Sequence, residues 1–222
     1  MQKNLPILLR ELEENIYKMS SETEDLVSDS LKALVEKNLD LANNIIEREK
    51  EIDNMELLVN DLVSRILALQ QPVAGDLRLI IGSLKIATDL ERIADHALNI
   101  SESAISLMKV EHDFVMNEIF VMGSVVKIML SGAIESFLEK NTLVARGVLN
   151  SDDEVDDYNR SITAKLMDKM ATQKLEIGIG LDLVRVCKNL ERIGDLSTNI
   201  AEDVIYINDA KMVRHNSNRS SI

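Results

Sequence analysis

Carboxylates spaced four residues apart occur at equivalent places in two halves of the sequence. Glu91 and Asp95 form one pair, Glu191 and Asp195 form the other, and the flanking stretches DLERIADHALNISE and NLERIGDLSTNIAE align at a constant offset. On an α-helix, residues i and i+4 point the same way, so each pair projects from one face. Like charges at this spacing repel each other, and a bound cation would offset that repulsion. The repeated pairs therefore predict a cation site, against the alternative of ordinary solvated surface charge.

A second set of paired acids precedes each of these stretches. Glu49 and Asp53 stand four residues apart and align with Asp152 and Asp156 in the second half. An asparagine later in each stretch falls on the acidic side of its helix. The candidate metal ligands are Glu49, Asp53, Glu91, Asp95, Asn99, Asp152, Asp156, Glu191, Asp195 and Asn199. This all-oxygen set suits magnesium, manganese, calcium or iron, and zinc remains open.

Long helices must position these acids. Apolar spacing predicts helices over about residues 5–35, 40–70 and 76–108, and the second half repeats this plan. Asn38 and Pro72 mark the breaks between them. Because the connections are short, neighbouring helices must run antiparallel, so each half forms an up-down-up bundle in which the second and third helices are adjacent.

This packing brings the acids of two helices together in each bundle. We use the term first seam for Glu49, Asp53, Glu91 and Asp95, and the term second seam for Asp152, Asp156, Glu191 and Asp195. Apolar residues occupy the other side of the motif helices, so we expect the acids to lie away from the main core contact.

Composition supports an all-α protein of two tandem three-helix bundles with six long helices. Aromatic residues make up only 3% of the chain, and proline occurs twice in 222 residues. Hydrophobic residues account for 45%, enough for one large core or two small ones, and the duplication favours two. We predict bundles over 1–110 and 111–222, with Asp113 as a candidate helix cap and a mobile tail from about residue 212.

The net charge of −13 disfavours nucleic acid and anionic membranes as partners, because both would repel this surface. Cys187 is the single cysteine, so no internal disulfide can form, and it is expected in the core. With no signal peptide and no apolar run of about 18 residues, we expect a cytoplasmic protein. His96 aligns with Leu196, lies outside the repeated site, and is expected on the surface.

Enzymatic activity is not expected, and no catalytic residue is assigned. No histidine follows a glutamate at the spacing of di-iron carboxylate proteins, and no phosphate-binding loop or nucleophile motif occurs. Paired carboxylates on an open helical face also lack the cleft that acid and base catalysis needs. A metal-dependent phosphohydrolase remains the enzymatic alternative, and an acidic adaptor that docks on basic partners without metal is the structural one.

The repeated motif, together with QPVAGDLR upstream of its first copy, resembles the signature of the PhoU family over nearly the whole chain. The resemblance implies tandem three-helix bundles whose acid pairs hold metal ions or multinuclear clusters on the bundle surface. Two residues depart from the pattern. Ala94 stands where the second copy has a glycine, and Leu98 stands where it has Thr198, so we expect the first seam to hold fewer ions.

The resemblance also implies a regulatory function without enzymatic activity. Members of the family damp the high-affinity phosphate ABC transporter and repress the phosphate-starvation response when phosphate is plentiful. The implied partners are the ATPase subunit of that transporter, a membrane sensor histidine kinase where one is present, and a second copy of the chain in a homodimer. The protein would then reach the membrane only through its partners.

Overall fold

The structure is a computed structural model that describes residues 4–110 and 117–213. These ranges contain seven α-helices and no strand, which confirms the all-α prediction. The helices are α1 (Leu5–Glu36), α2 (Leu39–Gln70), α3 (Ala74–Leu107), α4 (Asn117–Leu138), α5 (Thr142–Leu149), α6 (Asp152–Ala171) and α7 (Ile177–Asp209). The candidate cap Asp113 and most of the predicted tail lie outside the described residues.

The fifth long helix is divided into α5 and α6 by Asn150 and Ser151. Their backbone N–H groups donate to the carbonyls of Gly147 and Val148, three residues back, at 3.2 and 3.0 Å. This tighter turn replaces the α-helical pattern where glycine, asparagine and serine, all weak helix formers, stand together. Six long helices are therefore present, with the fifth interrupted.

The turn between the first two helices is repeated between α4 and α5. Lys37 and Lys140 both adopt a left-handed backbone conformation, with φ angles of 52° and 55°. Asn38 then caps α2 by accepting a hydrogen bond from the N–H of Leu41 at 3.0 Å. Asn141 caps α5 in the same way, and both asparagines occupy N-cap positions. Asn38 is thus the N-cap of α2, and α1 ends at Glu36 with Lys37 as its C-cap.

The two bundles pack against each other mainly through α3 and α7. The Arg78 Nε–H donates to the backbone carbonyl of Ile207 at 3.3 Å near one end of this contact. His96 Nδ1 lies 2.8 Å from the side-chain oxygen of Asn189 farther along α3. The partner residue number falls as the α3 number rises, so the two helices run antiparallel. His96 is therefore half-buried between the bundles and not a surface residue as predicted.

One continuous apolar core runs through both bundles within the described residues. The sequence favoured two small cores, but α3 and α7 bury apolar side chains against each other as well as against their own bundles. Leu90 and Leu190, at equivalent positions, are both fully buried. Cys187 is buried as predicted, and burial raises the pKa of its thiol to about 12.

Among the described helices, α4 alone has the length and apolar composition of a membrane span. Half of its most apolar stretch is buried inside the protein, where α4 packs against α7, α5 and α1. A core helix of a water-exposed bundle passes the same test, so this feature is weak evidence for a membrane segment.

Candidate metal-binding seams

The first seam forms where α2 packs along α3. Glu49 lies on the buried stripe of α2, between Ile45 and Ile52, and is only 9% exposed. Asp53, one turn later, is half-buried, while Asp95 on α3 is exposed. Glu49 is buried because helical periodicity places it in line with two core isoleucines.

Two carboxyl groups of the first seam, those of Glu49 and Glu91, have raised pKa values. The pKa of Glu49 is raised to about 7, first by burial and then by the charges of Asp53 and Asp95, with a hydrogen bond between Glu49 and Asp95. Burial and the charge of Asp95 also raise the pKa of Glu91. Each shift means that burial, and after it the neighbouring negative charge, disfavours ionisation. Glu49 and Glu91 thus sense the charges of neighbouring seam carboxylates, Asp53 and Asp95 among them, whereas a single site shared by all four side chains stays a prediction.

Glu56 belongs beside this seam, although the sequence analysis did not select it. Its charge contributes to the raised pKa of Glu91, and its carboxylate accepts a hydrogen bond from the Thr88 hydroxyl at 2.9 Å. The aligned residue in the second half is Asn159, so a search for repeated acids passes over Glu56. Glu56 stands seven residues after Glu49, about two helical turns, and this spacing predicts that both side chains lie on the same face of α2.

The two asparagines have different surroundings. The Asn99 side-chain amide donates to the backbone carbonyl of Asp95 at 2.8 Å, so this side chain bonds back to its own helix. Asn199 is exposed and lines an open groove of about 430 Å³ between α3 and α7, together with Lys85, Asp89 and Asp203. Neither asparagine is placed by a described contact against the carboxylates of its seam.

The second seam forms where α6 packs on α7. Gly194 faces Val155, the residue between the two acid positions of α6, and an added Cβ atom would lie 3.4 Å from it. Glu191 is buried, so the expectation that the motif acids lie away from the core is wrong for this residue, and it forms an ion pair with Lys188. Asp195 pairs with Arg192 at 2.9 Å. The second seam therefore holds two basic side chains of its own.

The hydroxyl of Thr198, a candidate for an extra ligand, donates to the backbone carbonyl of Asp195 at 2.7 Å. Its proton is thus engaged within α7, as local side-chain hydrogen bonds of threonine commonly are. The contact of Gly194 with Val155 is at ordinary van der Waals distance, so the alanine in the first bundle need not hold its helices apart.

A further pair of buried acids lies between the bundles. Asp89 and Asp203 are 8% and 6% exposed, and Asp203 forms an ion pair with Lys85. Burial, followed by the charge of Asp203, raises the pKa of Asp89 to about 6. A pattern of repeated acids does not predict these residues, because the motif aligns Asp89 with Asn189 and Asp203 with Ser103.

The donor chemistry of the first seam suits a hard cation, since every member is a carboxylate and the cluster carries excess negative charge. As placed, however, no three carboxylate, imidazole or thiol groups of the described residues converge as the ligands of one ion. An ion would have to draw the side chains together by rotation about their own bonds.

Comparison with known proteins decides the family. A model of the PhoU domain matches the chain twice, over residues 16–104 and 119–204. The chain belongs to the PhoU family. Each match includes one of the repeated acid motifs and both helices of one seam.

PhoU relatives resemble the chain over nearly its whole length. A protein of Clostridium acetobutylicum, named a phosphate-specific transport system accessory protein PhoU homolog, is 36% identical over 92% of this chain and 94% of its own. A homolog of the same name from Aquifex aeolicus is 34% identical over 93% and 94%. The crystal structure of PhoU from Pseudomonas aeruginosa superposes with a TM-score of 0.91 at 32% identity, covering 94% of this chain and all of that one.

Proposed function

We propose that this protein regulates phosphate uptake as an accessory protein of a phosphate transport system. The observation that carries the proposal is the end-to-end similarity to PhoU proteins in sequence and fold, which includes both helical repeats. The names of the relatives assign them to phosphate-specific transport systems. A second solved relative, from Streptococcus pneumoniae, is described as a phosphate transport system regulatory protein.

In more detail, we propose that the protein has three binding partners. It binds the ATPase subunit of the high-affinity transporter, the phosphate sensor histidine kinase where one is present, and a second copy of itself. It acts in the cytoplasm and reaches the membrane through these partners. It has no enzymatic activity of its own, so we expect no turnover of phosphate esters in the presence of manganese or magnesium.

Metal binding belongs to the same proposal. Glu49, Asp53, Glu91 and Asp95 would hold the ion in the first seam, where burial and neighbouring negative charge already raise the pKa of Glu49 and of Glu91. A bound magnesium, manganese, iron or zinc ion would neutralise this charge and clamp α2 to α3. The metal would thereby fix the shape of the surface offered to a partner.

Deletion of the gene tests the regulatory function. We expect a strain without it to take up phosphate rapidly and to express phosphate-starvation genes in phosphate-rich medium. The wild-type gene should restore repression, and so should a Glu47→Gln/Glu51→Gln variant, which removes two exposed acids from the same helix. Normal repression in the deletion strain, with phosphate uptake unchanged, would contradict the proposal.

The second seam gives a specific reason to keep a metal-independent adaptor as the second candidate. Lys188 and Arg192 supply positive charge there without a metal. If acidic faces alone hold the ATPase subunit, the complex should dissociate in high salt and survive chelator. If metal orders the surface, chelator should release the subunit at constant ionic strength. A binding assay with the purified ATPase subunit separates the two.

A further inference from the structure

The outward faces of α1 and α4 hold equivalent places in the two bundles but differ in chemistry. On α4 the face includes Phe120, Val121, Val125 and Ile128. The aligned residues of α1, counted back from the repeated turn, are Tyr17, Lys18, Glu22 and Asp25. Three of the α1 residues are charged, whereas all four on α4 are apolar. Since both faces point outward, packing within each bundle does not account for the difference.

The apolar residues of α4 form one exposed stripe. Phe120 is 55% exposed, Val121 is 43% exposed and Ile128 is 72% exposed, while Val125 is half-buried. Phe120, Ser124 and Ile128 stand four residues apart, so they make a ridge along the helix. Half of the most apolar stretch of α4 lies outside the core. A contiguous exposed apolar surface marks an interaction site, whereas single exposed apolar residues do not.

The charge network beside the α1 face has been replaced as a whole in the second bundle. Glu22 and Asp29 of α1 both form ion pairs with Arg48 of α2. The aligned residues of the second bundle are Val125, Gly132 and Ser151. Loss of all three charged groups together removes polar side chains from the side of α4. Depletion of charge is typical of a surface that becomes the centre of a protein–protein interface.

The same side of α4 becomes acidic toward the end of the helix. Glu135, seven residues after Ile128, and Glu139, just past the helix end, are both exposed. None of the ion pairs among the described residues includes either carboxylate. Lys32 stands at the position of Glu135 in α1. Carboxylates at this end also meet the negative end of the helix dipole, so an external cation would stabilise them.

We propose that this face of α4 docks a basic amphipathic helix of a partner protein. The apolar residues of that helix pack beside the ridge of Phe120 and Ile128, and its lysines or arginines approach Glu135 and Glu139. The 22 residues of α4 extend over about 33 Å, which is enough for roughly six turns of a partner helix. The inference concerns a surface outside both seams and does not depend on the proposed role in phosphate uptake.

Charge favours such a partner over the other surfaces that could cover α4. A second copy of the chain would bring the same acids and a net charge of −13 to the contact. Anionic lipid would be repelled for the same reason, and helices that lie on a membrane surface carry lysine and arginine on their polar face. A basic helix satisfies both the apolar stripe and the acidic end.

Binding of synthetic peptides to the full-length protein tests the proposal. A fluorescent peptide of about 18 leucine and lysine residues, with leucine on one helical face, is titrated with protein and followed by fluorescence anisotropy. The controls are a scrambled peptide of the same composition and a peptide of the same pattern with glutamate in place of lysine. We expect the basic amphipathic peptide to bind about tenfold or more tightly than either control. Equal binding of either control would overturn the proposal.

Exchange of α4 residues for those of α1 locates the binding site. Val121→Lys/Ile128→Asp leaves the net charge unchanged and should weaken binding of the basic peptide about tenfold or more, because it places charges in an apolar contact. Leu57→Lys/Leu58→Asp makes the same changes at exposed leucines of α2 and should leave binding unchanged. Glu135→Gln should weaken binding about two- to fivefold and reduce its dependence on salt. Circular dichroism checks that each variant is folded.

The remaining outcomes assign the face to something else. Unchanged affinity in Val121→Lys/Ile128→Asp, or an equal loss in the α2 variant, would overturn the proposal. So would a wild-type dimer in sedimentation equilibrium that the α4 variant dissociates, if no peptide binds, because a second copy then covers the face. Co-sedimentation with neutral phosphatidylcholine vesicles that the same variant abolishes, again without peptide binding, would assign the face to lipid. The deletion phenotype reports separately on phosphate regulation.

Discussion

In the first bundle the second helix runs without interruption from Leu39 to Gln70, whereas its counterpart in the second bundle is divided at Asn150 and Ser151. Arg48 of α2 also forms ion pairs with Glu22 and Asp29 of α1, at 3.2 and 2.7 Å. Ser151 occupies the aligned position in the second bundle and carries no charge. The buried leucines and the asparagine caps, by contrast, are the same in both bundles. Duplication has preserved packing and helix starts, and it has allowed the charges around the seams to diverge.

The largest effects should be equal in the two bundles, because the core positions are equivalent. Leu90→Ala and Leu190→Ala each remove a fully buried side chain, and each should lower the free energy of unfolding by about 2 to 5 kcal/mol. Urea denaturation followed by circular dichroism measures the loss. Leu143→Ala serves as the control, since that side chain is 79% exposed and should lose far less. A large loss in only one bundle would show that the cores have diverged as well.

Smaller effects should follow removal of the caps. Asn38→Ala and Asn141→Ala each delete a side chain that accepts backbone N–H groups at a helix start, at a cost of about 1 kcal/mol. Hydrogen exchange should show faster exchange in the first turn of α2 or of α5, respectively. The matched substitution Asn44→Ala, at an exposed position inside α2, should be close to neutral or slightly stabilising. If Asn38→Ala and Asn44→Ala behave alike, the cap contributes nothing.

The smallest effect should be a pH-dependent change in stability on substitution of Glu49 in the first seam. The folded pKa of Glu49, about 7, lies above its ordinary value of 4.5, so folding favours the protonated form. The stability linked to this group is fully present below its ordinary pKa and is lost as pH rises through about 7. Glu49→Gln should therefore raise the melting temperature of chelated protein at about pH 8, by about 2 to 4 °C, and change it little near pH 5.

Differential scanning calorimetry at the two pH values checks this. Glu51→Gln removes an exposed carboxylate from the same helix and is the matched control. An equal gain in Glu51→Gln would assign the effect to overall net charge and not to the crowded first seam.

The sequence was a good guide to what depends on local spacing. The bounds of α1, α2 and α3 agree with the predicted ones to within two residues, because apolar periodicity and caps act within one helix. The same periodicity, together with short connections, predicted that acids of α2 and α3 face one another, as the effect of the Asp95 charge on the pKa of Glu49 shows. The choice of metal, and whether one binds, stays a prediction.

Properties that depend on contacts between helices were harder to predict. The spacing of Glu49 from Ile45 and Ile52 indicates its burial, but the acids that lie against it on α3 depend on how the two helices pack. The partner of each arginine was also unpredictable, since Arg92 and Arg192 occupy the same motif position but contact Asp89 and Asp195. Glu56 and Asp203 were not predicted because they are not repeated. The charge of Glu56 nevertheless helps to raise the pKa of Glu91, and burial raises the pKa of Asp203.

The continuous core between α3 and α7 has a thermodynamic consequence. Each of these helices buries one side in its own bundle and another against the opposite bundle, so neither bundle can melt without exposing part of the other. The duplicated halves therefore unfold as one cooperative unit, and a substitution in either of them changes the population of the intact seam in its twin.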